Sequence, residues 1–251
     1  MLENLYILFK GIYYPYSLTL QETAGFYAYG VTRFYSLLLN ILVFIAILIL
    51  CLLLFVYIIY GPNHFFRKNY YDLGSTFIKQ DILEWLWSLL PLFILIGLIY
   101  PSFALLYSVE RFPENFDYSV VVTGHQWFWT YELTYINENL DIISTSWEAK
   151  IVGSGLNYKT ASFENSFIYL LETNKALFLP AQKYIQLLIT SSDVIHSWAL
   201  PALGLKLDAV PGRLNQLIAI FKKPGIFFGQ CSELCGVGHS LMPIVVIVTS
   251  C

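Results

Sequence analysis

The stretch Gly229–Pro243, GQCSELCGVGHSLMP, places two cysteines, a glutamate, a histidine and a methionine within the twelve positions from Cys231 to Met242. Thiolates and thioethers select copper, zinc or iron–sulfur, and imidazole suits copper and zinc. A mononuclear blue-copper site takes one cysteine, two histidines and a weak axial methionine, and this loop carries a second cysteine beside that kind of set. Two sulfurs can bridge two metals, with one imidazole capping each. That arrangement demands a second histidine from elsewhere. The chain has four: His64, His125, His196 and His239. His196 lies in SSDVIHSWALP, directly after a predicted strand at 183–190, and a strand end beside the C-terminal loop is where the second ligand is expected. Two plainer readings stand beside this one. Cys231 and Cys235 could form a disulfide, or join His196 and His239 in a zinc site, which would leave Met242 as a core residue. The other two cysteines, Cys51 and Cys251, are remote, so the four do not form a disulfide framework.

The elements around the loop read as strands. YSVVVTG (118–124), KYIQLLIT (183–190), LNQLIAIF (214–221) and MPIVVIVT (242–249) are short and rich in β-branched residues, with turn signals such as VPGR and KKPG between them. Short strands at this spacing predict a sandwich or small barrel. No internal repeat or low-complexity tract interrupts them.

The rest of the chain is built for lipid. Only 12% of the 251 residues are charged and mean hydropathy is +0.61, against about 25% charged in a soluble domain. Residues 36–60 and 85–107 carry no charge at all, and each is long enough to cross a hydrocarbon core about 30 Å thick. They are expected to form transmembrane helices 1 and 2. Pro91, Gly97 and Pro101 in the second are tolerated in such helices. Lys and Arg favour the inside. The connection 61–84 holds three of them and residues 1–35 hold two, so 61–84 is placed as an inner loop. Residues 1–35 then lie outside the membrane on the same side as 108–251. The whole formal net charge of −3 falls within 108–251, which argues against a nucleic-acid partner and leaves room for a basic one. The first 33 residues show neither a secretory signal nor a transit peptide, an expectation that suits synthesis inside a bacterium or an organelle with its own genome.

Longer stretches carry a family resemblance. QETAG (21–25), DILEWLWSLLP (81–91), GHQWFWTYE (124–132), DVIHSWALPALGLKLDAVPGRLNQ (193–216) and GQCSELCGVGHSLMPIV (229–245) occur in the order found in subunit II of cytochrome c oxidase, and the chain resembles the mitochondrial type. The resemblance implies a membrane-anchored all-β protein: a two-helix transmembrane hairpin followed by a cupredoxin-like Greek-key β-barrel over 108–251. It implies a binuclear copper centre, CuA, in which Cys231 and Cys235 bridge the metals and His196 and His239 each donate a ring nitrogen. Met242 is then a weak ligand to one copper and the backbone carbonyl of Glu233 to the other. The Glu233 side chain would also bind Mg2+ at the contact with subunit I. Trp127 matches the tryptophan through which electrons arrive from cytochrome c, and Glu84 matches a glutamate at the entrance of a proton path. The implied partners are cytochrome c, subunit I, the other oxidase subunits and the bilayer. The implied location is the mitochondrial inner membrane, multi-pass, with both termini and the copper domain in the intermembrane space.

The same resemblance marks departures. Glu132 and Asp193 stand where the family places acids that dock basic cytochrome c. However, Asn174 and Ser192 replace acids common in the family, and Lys175 follows Asn174. Segment 133–170 reads as an insertion, and the first 18 residues as an extension open to trimming. For Trp129 and Tyr131, a place in an aromatic patch that a partner packs against and a plainer role in the core or a membrane-interface belt remain equally open. His64 is read as a loop residue, and His125 as support near the site.

Overall fold

The computed structural model describes residues 20, 22–60, 80–109, 115–137, 139–152 and 170–250. His64, most of the 61–84 loop, residues 153–169 and Cys251 lie outside the described residues. The chain divides into two compact units, Arg33–Leu106 and a second formed by Met1–Thr32 with Tyr107–Cys251.

The first unit holds most of two helices, α1 (Phe26–Tyr60) and α2 (Gln80–Val109). At 1.5 Å per residue they run about 52 and 45 Å, more than a hydrocarbon core requires. Their large apolar side chains stand exposed, Leu42, Phe44, Leu53, Phe93 and Leu95 among them. A helix apolar all round and uncovered needs lipid or other helices about it. Both helices exceed the charge-free stretches 36–60 and 85–107. Gly30, Thr32 and Arg33 dilute hydropathy in the first turns of α1 without breaking the helix, and Pro91 and Pro101 lie inside α2.

The second unit is a β-barrel-like sandwich. Its strands are β1 (Tyr118–His125), β2 (Phe128–Ile136), β3 (Ile142–Ala149), β4 (Leu177–Pro180), β5 (Ile185–Ser191), β6 (His196–Leu200), β7 (Leu205–Ala209), β8 (Asn215–Ala219), β9 (Gly225–Gln230) and β10 (Pro243–Thr249). One sheet runs β3-β2-β1-β5-β8, a second β4-β10-β9, and β6 pairs with β7. β1 is antiparallel to β2 and parallel to β5, and β10 is antiparallel to β9 and parallel to β4. Such non-sequential neighbours are what key-type crossovers produce. The four strands expected from sequence appear within a few residues of their predicted limits. The 133–170 segment supplies the end of β2 and all of β3, which form a continuous antiparallel ladder from Trp129↔Ala149 to Ile136↔Ile142.

The core follows from alternation. Ile185, Leu187 and Ile189 on β5 point inward, as do Val120 and Val122 on β1 and Trp129 and Tyr131 on β2. Trp198, on the fully buried β6, completes it, and its Nε1–H donates to the Tyr131 hydroxyl at 3.3 Å. Each of these three large aromatics removes about 150–250 Å2 from water, worth roughly 4–6 kcal/mol on transfer. Trp129 and Tyr131 are therefore core residues; both are essentially inaccessible to solvent.

The start of α1 is bound into this second unit. Ala24 N–H donates to the Ala202 carbonyl (2.7 Å), and Lys222 N–H donates to that of Ala24 (3.1 Å). The turn beneath it, Pro201–Leu203, ends at Gly204 with φ +69°. A Cβ there would meet Ala28 Cα at 2.8 Å, so both the conformation and the close approach require glycine.

Candidate metal centre

The ligand-type loop closes the hairpin between β9 and β10. Its ends are pinned where Cys231 N–H donates to the Met242 carbonyl (3.3 Å), one step beyond the Gln230↔Pro243 pair. The Trp129 indole N–H donates to the same carbonyl at 3.3 Å. A short 3-10 turn, His239–Leu241, folds the middle of the loop back through His239 N–H to the Gly236 carbonyl (3.2 Å). His196 arrives from the first position of β6, next to the loop because Ser232 N–H donates to the Ser197 carbonyl (3.0 Å). The edge of Trp129 packs on the His196 ring, centroids 5.9 Å apart.

These constraints gather six donor groups. Cys231 Sγ and Cys235 Sγ stand 3.9 Å apart as free thiols. His196 Nδ1 is 3.9 Å from Cys231 Sγ, and His239 Nδ1 is 3.5 Å from Cys235 Sγ. Met242 Sδ is 3.5 Å from Cys235 Sγ, and the Glu233 carbonyl accepts from Cys231 Sγ at 3.4 Å. The donor atoms of His196, Cys231 and Cys235 all lie within 4.8 Å of one another. Cys231, Cys235, His196 and Met242 are buried, while His239 is half-buried. Soft sulfurs beside imidazoles, closed from water, suit copper or zinc, and the thioether and second thiolate lean towards copper. The donor set and its pairing, one imidazole per sulfur, fit a two-metal cluster.

His196 is held in the tautomer a metal needs. His196 Nε2 lies 2.8 Å from Asp193 Oδ1. A carboxylate only accepts, so Nε2 carries the proton and Nδ1 keeps its lone pair towards the sulfurs. Burial pushes the Asp193 carboxyl up, but hydrogen bonds from His196, Val194 and Gln126 outweigh it and hold the group below its ordinary value.

In the metal-free protein, burial above all, with the charge and hydrogen bonding of Cys231, pushes the Cys235 thiol up to about 12. A raised pKa adds stability that is full below the ordinary thiol value of 9.0 and is lost as pH rises towards about 12. Metal binding runs the other way, since the thiol proton must leave. Loading copper at neutral pH is therefore expected to release protons, measurable by pH-stat. The metal-free protein is expected to lose melting temperature between about pH 9 and 12. Copper uptake without proton release would contradict this.

The other residues singled out from sequence are spread. Trp127 sits in the β1–β2 turn, 38% exposed, against the loop. Its indole N–H donates to the Cys235 carbonyl (3.3 Å), and Gln126 Nε2 donates to the same oxygen at 2.9 Å. Gly236 and Gly238 lie under the ring. Glu132 is exposed on β2 and accepts from Ser144 Oγ (3.2 Å). The Glu233 side chain is exposed, and Glu84 is exposed on α2, in the other unit. His125 is stacked on Phe128 (4.6 Å, 4°) and bonded to Ser192 Oγ (2.7 Å) and Thr130 Oγ1 (3.1 Å). Sequence reasoning missed Gln126 and Gly238, and it read Asp193 only as an outward acid. The signal for Gly238 was its place in a loop whose other residues are ligand types.

A cupredoxin-like barrel with a buried thiol–imidazole–thioether cluster, on a chain with two membrane-length helices, defines a membrane-anchored soft-metal protein. Comparison with known families makes the class specific. Residues 118–249 match the family described as cytochrome C oxidase subunit II, periplasmic domain, and residues 13–105 match its transmembrane domain. The chain is 40% identical over 230 residues to cytochrome c oxidase subunit 2 of Apis koschevnikovi, covering 92% of this chain and 91% of that protein. It is 36% identical over 207 residues to that of Arabidopsis thaliana, covering 82% and 76%. Among solved structures, the periplasmic domain of subunit II of cytochrome oxidase from Bradyrhizobium japonicum is 35% identical, with 54% of this chain and 86% of that one covered and a TM-score of 0.43. The chain belongs to the cytochrome c oxidase subunit II family and is a subunit of an oxidase complex.

Proposed function

We propose that this chain is the electron-receiving subunit of a haem-copper cytochrome c oxidase in the mitochondrial inner membrane. The observation that carries this is the pairing of His196 with Cys231 and His239 with Cys235 about two free sulfurs 3.9 Å apart. His196, Cys231, Cys235, His239, Met242 and the Glu233 carbonyl would hold a binuclear copper centre, which would supply one-electron chemistry between cytochrome c and the haem of subunit I. The protein's own part is positional. Burial keeps water from the sulfurs, Asp193 fixes the His196 tautomer, and the carbonyl of Cys235 is joined directly to the Trp127 indole.

Trp127 is the surface through which cytochrome c delivers electrons, with Glu132 and Asp193 contributing negative charge. That charge is modest. Glu148 is paired with Lys150, whose Nζ also lies 4.6 Å over the Phe128 ring, and Asn174 and Ser192 are neutral. Electrostatic steering mainly sets on-rate, so the association is expected to depend less on salt than in relatives with acids at those two positions. The Glu233 carboxylate, exposed beside the cluster, contributes a Mg2+ ligand at subunit I, and Glu84 opens a proton path. The copper domain and both termini face the intermembrane space.

The deciding experiment is a copper count and an electron paramagnetic resonance spectrum on the full chain within its purified oxidase. Two coppers in this subunit sharing one unpaired electron are expected. A mononuclear signal, or zinc in their place, would refute the binuclear reading.

A further inference from the structure

Asp193 was read from sequence as an acid that faces a partner. It is exposed, and its carboxylate also turns to donors of the chain itself. The side chain is 32% exposed, and its two oxygens accept hydrogen bonds from different places, Oδ1 from its own loop and Oδ2 from a turn distant in sequence. Oδ1 accepts from His196 Nε2 at 2.8 Å and from Val194 N–H at 2.6 Å. Oδ2 accepts from the backbone N–H of Gln126 at 2.7 Å. Gln126 is the residue before Trp127, and its own side chain reaches the Cys235 carbonyl at 2.9 Å. The Gln126–Trp127 pair is thus strapped at one end to the carboxylate that holds His196, and at the other to the backbone of Cys235. The strap exists because β1 and β5 run parallel, with Gly124 opposite Ser191, so the turns leaving their C-terminal ends lie side by side.

Taking the copper and tryptophan roles above as given, we propose that Asp193 is a positioning residue for electron arrival. Its one carboxylate locks the Trp127-bearing turn and the His196 imidazole into a single frame, so that indole and metal ligands keep a fixed separation. Electron tunnelling falls steeply with separation, and a polar bridge made of two short charge-assisted hydrogen bonds is a stiff spacer. The same contact sets the basicity of His196 through its outer N–H, as carboxylates behind metal-bound imidazoles do.

Asp193→Asn separates this from a docking role. Three N–H donors and the Ser191 hydroxyl converge on the two carboxylate oxygens, and an amide has one acceptor oxygen, so the strap on one side must be lost while size is kept. In the intact oxidase, three quantities are read: the copper reduction potential, the electron-transfer rate at saturating cytochrome c, and the salt dependence of the second-order rate. The frame requires the limiting rate to fall about 10- to 100-fold. The potential should rise, since a less basic His196 stabilises the oxidised metal less, while the salt slope falls only as far as it does on losing one docking acid. Glu132→Gln is the comparison, expected to reduce the second-order rate and salt slope alone. If Asp193→Asn behaves like Glu132→Gln, with potential and limiting rate unchanged, the proposal is overturned. Asp193→Glu covers the case in which the amide variant loses copper. It keeps the charge and both acceptors but lengthens the arm by one methylene. A frame predicts a slower limiting rate, and an unchanged limiting rate overturns it. A wild-type oxidase lacking the binuclear signal would instead remove the functional reading on which this rests, whatever the variants do.

Discussion

Replacing Cys235 by serine in the assembled oxidase is expected to abolish the copper signal of this subunit. Electron transfer from cytochrome c should fall by at least about 100-fold, the upper end of what losing a mere outer-shell partner of a metal ligand costs. Cys235 is the hub of the cluster. Its sulfur lies within 3.9 Å of Cys231 Sγ and within 3.5 Å of both His239 Nδ1 and Met242 Sδ. A serine oxygen is harder, sits closer to the backbone and is protonated at any working pH, so it can neither span two metals nor share charge between them. The fold should survive. Cys235 is 4% exposed but lies in the loop between β9 and β10, and the change removes one polarisable atom from the edge of the core, a loss of about 1 kcal/mol. Copper content and the optical spectrum of the purified complex would check this directly. A serine variant that retained two coppers and normal turnover would mean that the sulfurs do not bridge.

How much of this was legible beforehand depended on whether the information was local. Cys231, Cys235, His239 and Met242 share one loop, and no fold is needed to see a ligand set there. His196 was reachable by counting, since the chain offers four histidines and one follows a strand. The hydrogen bonds of Asp193 were not legible, because an exposed acid beside a hydrophobic run shows only its surface side in the sequence. What holds its carboxylate are donors on Gln126 and His196, and the first of these becomes a neighbour only through the parallel register of β1 with β5. Trp129 and Tyr131 were left between a partner-facing patch and a core or belt role, although their two-residue spacing within HQWFWTYE puts both on one face of a strand. That alternation was the available signal, and the structure buries both. The helices run beyond the charge-free stretches for a different reason. Hydropathy marks what tolerates lipid, whereas hydrogen bonding continues α1 back to Phe26, past Arg33.

Gly238→Ala offers a cleaner test of the tryptophan than removing the tryptophan itself. The backbone at Gly238 has φ −87° and ψ 15°, a conformation open to alanine, so the substitution carries no strain of its own. What it meets is the indole. A Cβ at this position would sit 2.4 Å from Trp127 Cδ2, 2.5 Å from Cγ and 2.8 Å from Cε3. The buried loop backbone is held by Leu241 N–H to the Gly238 carbonyl at 2.8 Å, whereas the ring is partly exposed and free to lift, giving up its 3.3 Å hydrogen bond to Cys235. The metal ligands stay in place while the indole moves off the carbonyl of Cys235. The expected phenotype is full copper content and an unchanged paramagnetic signal, with electron transfer slowed by on the order of 100-fold, the usual consequence of misplacing a reacting group by about 1 Å. Gly236→Ala, two residues earlier, should fail differently. Its φ of +118° is a region alanine rarely adopts, so the loop itself distorts next to Cys235 and copper binding weakens together with turnover. Fast turnover in a copper-replete Gly238→Ala oxidase would show that the indole is not on the electron's path.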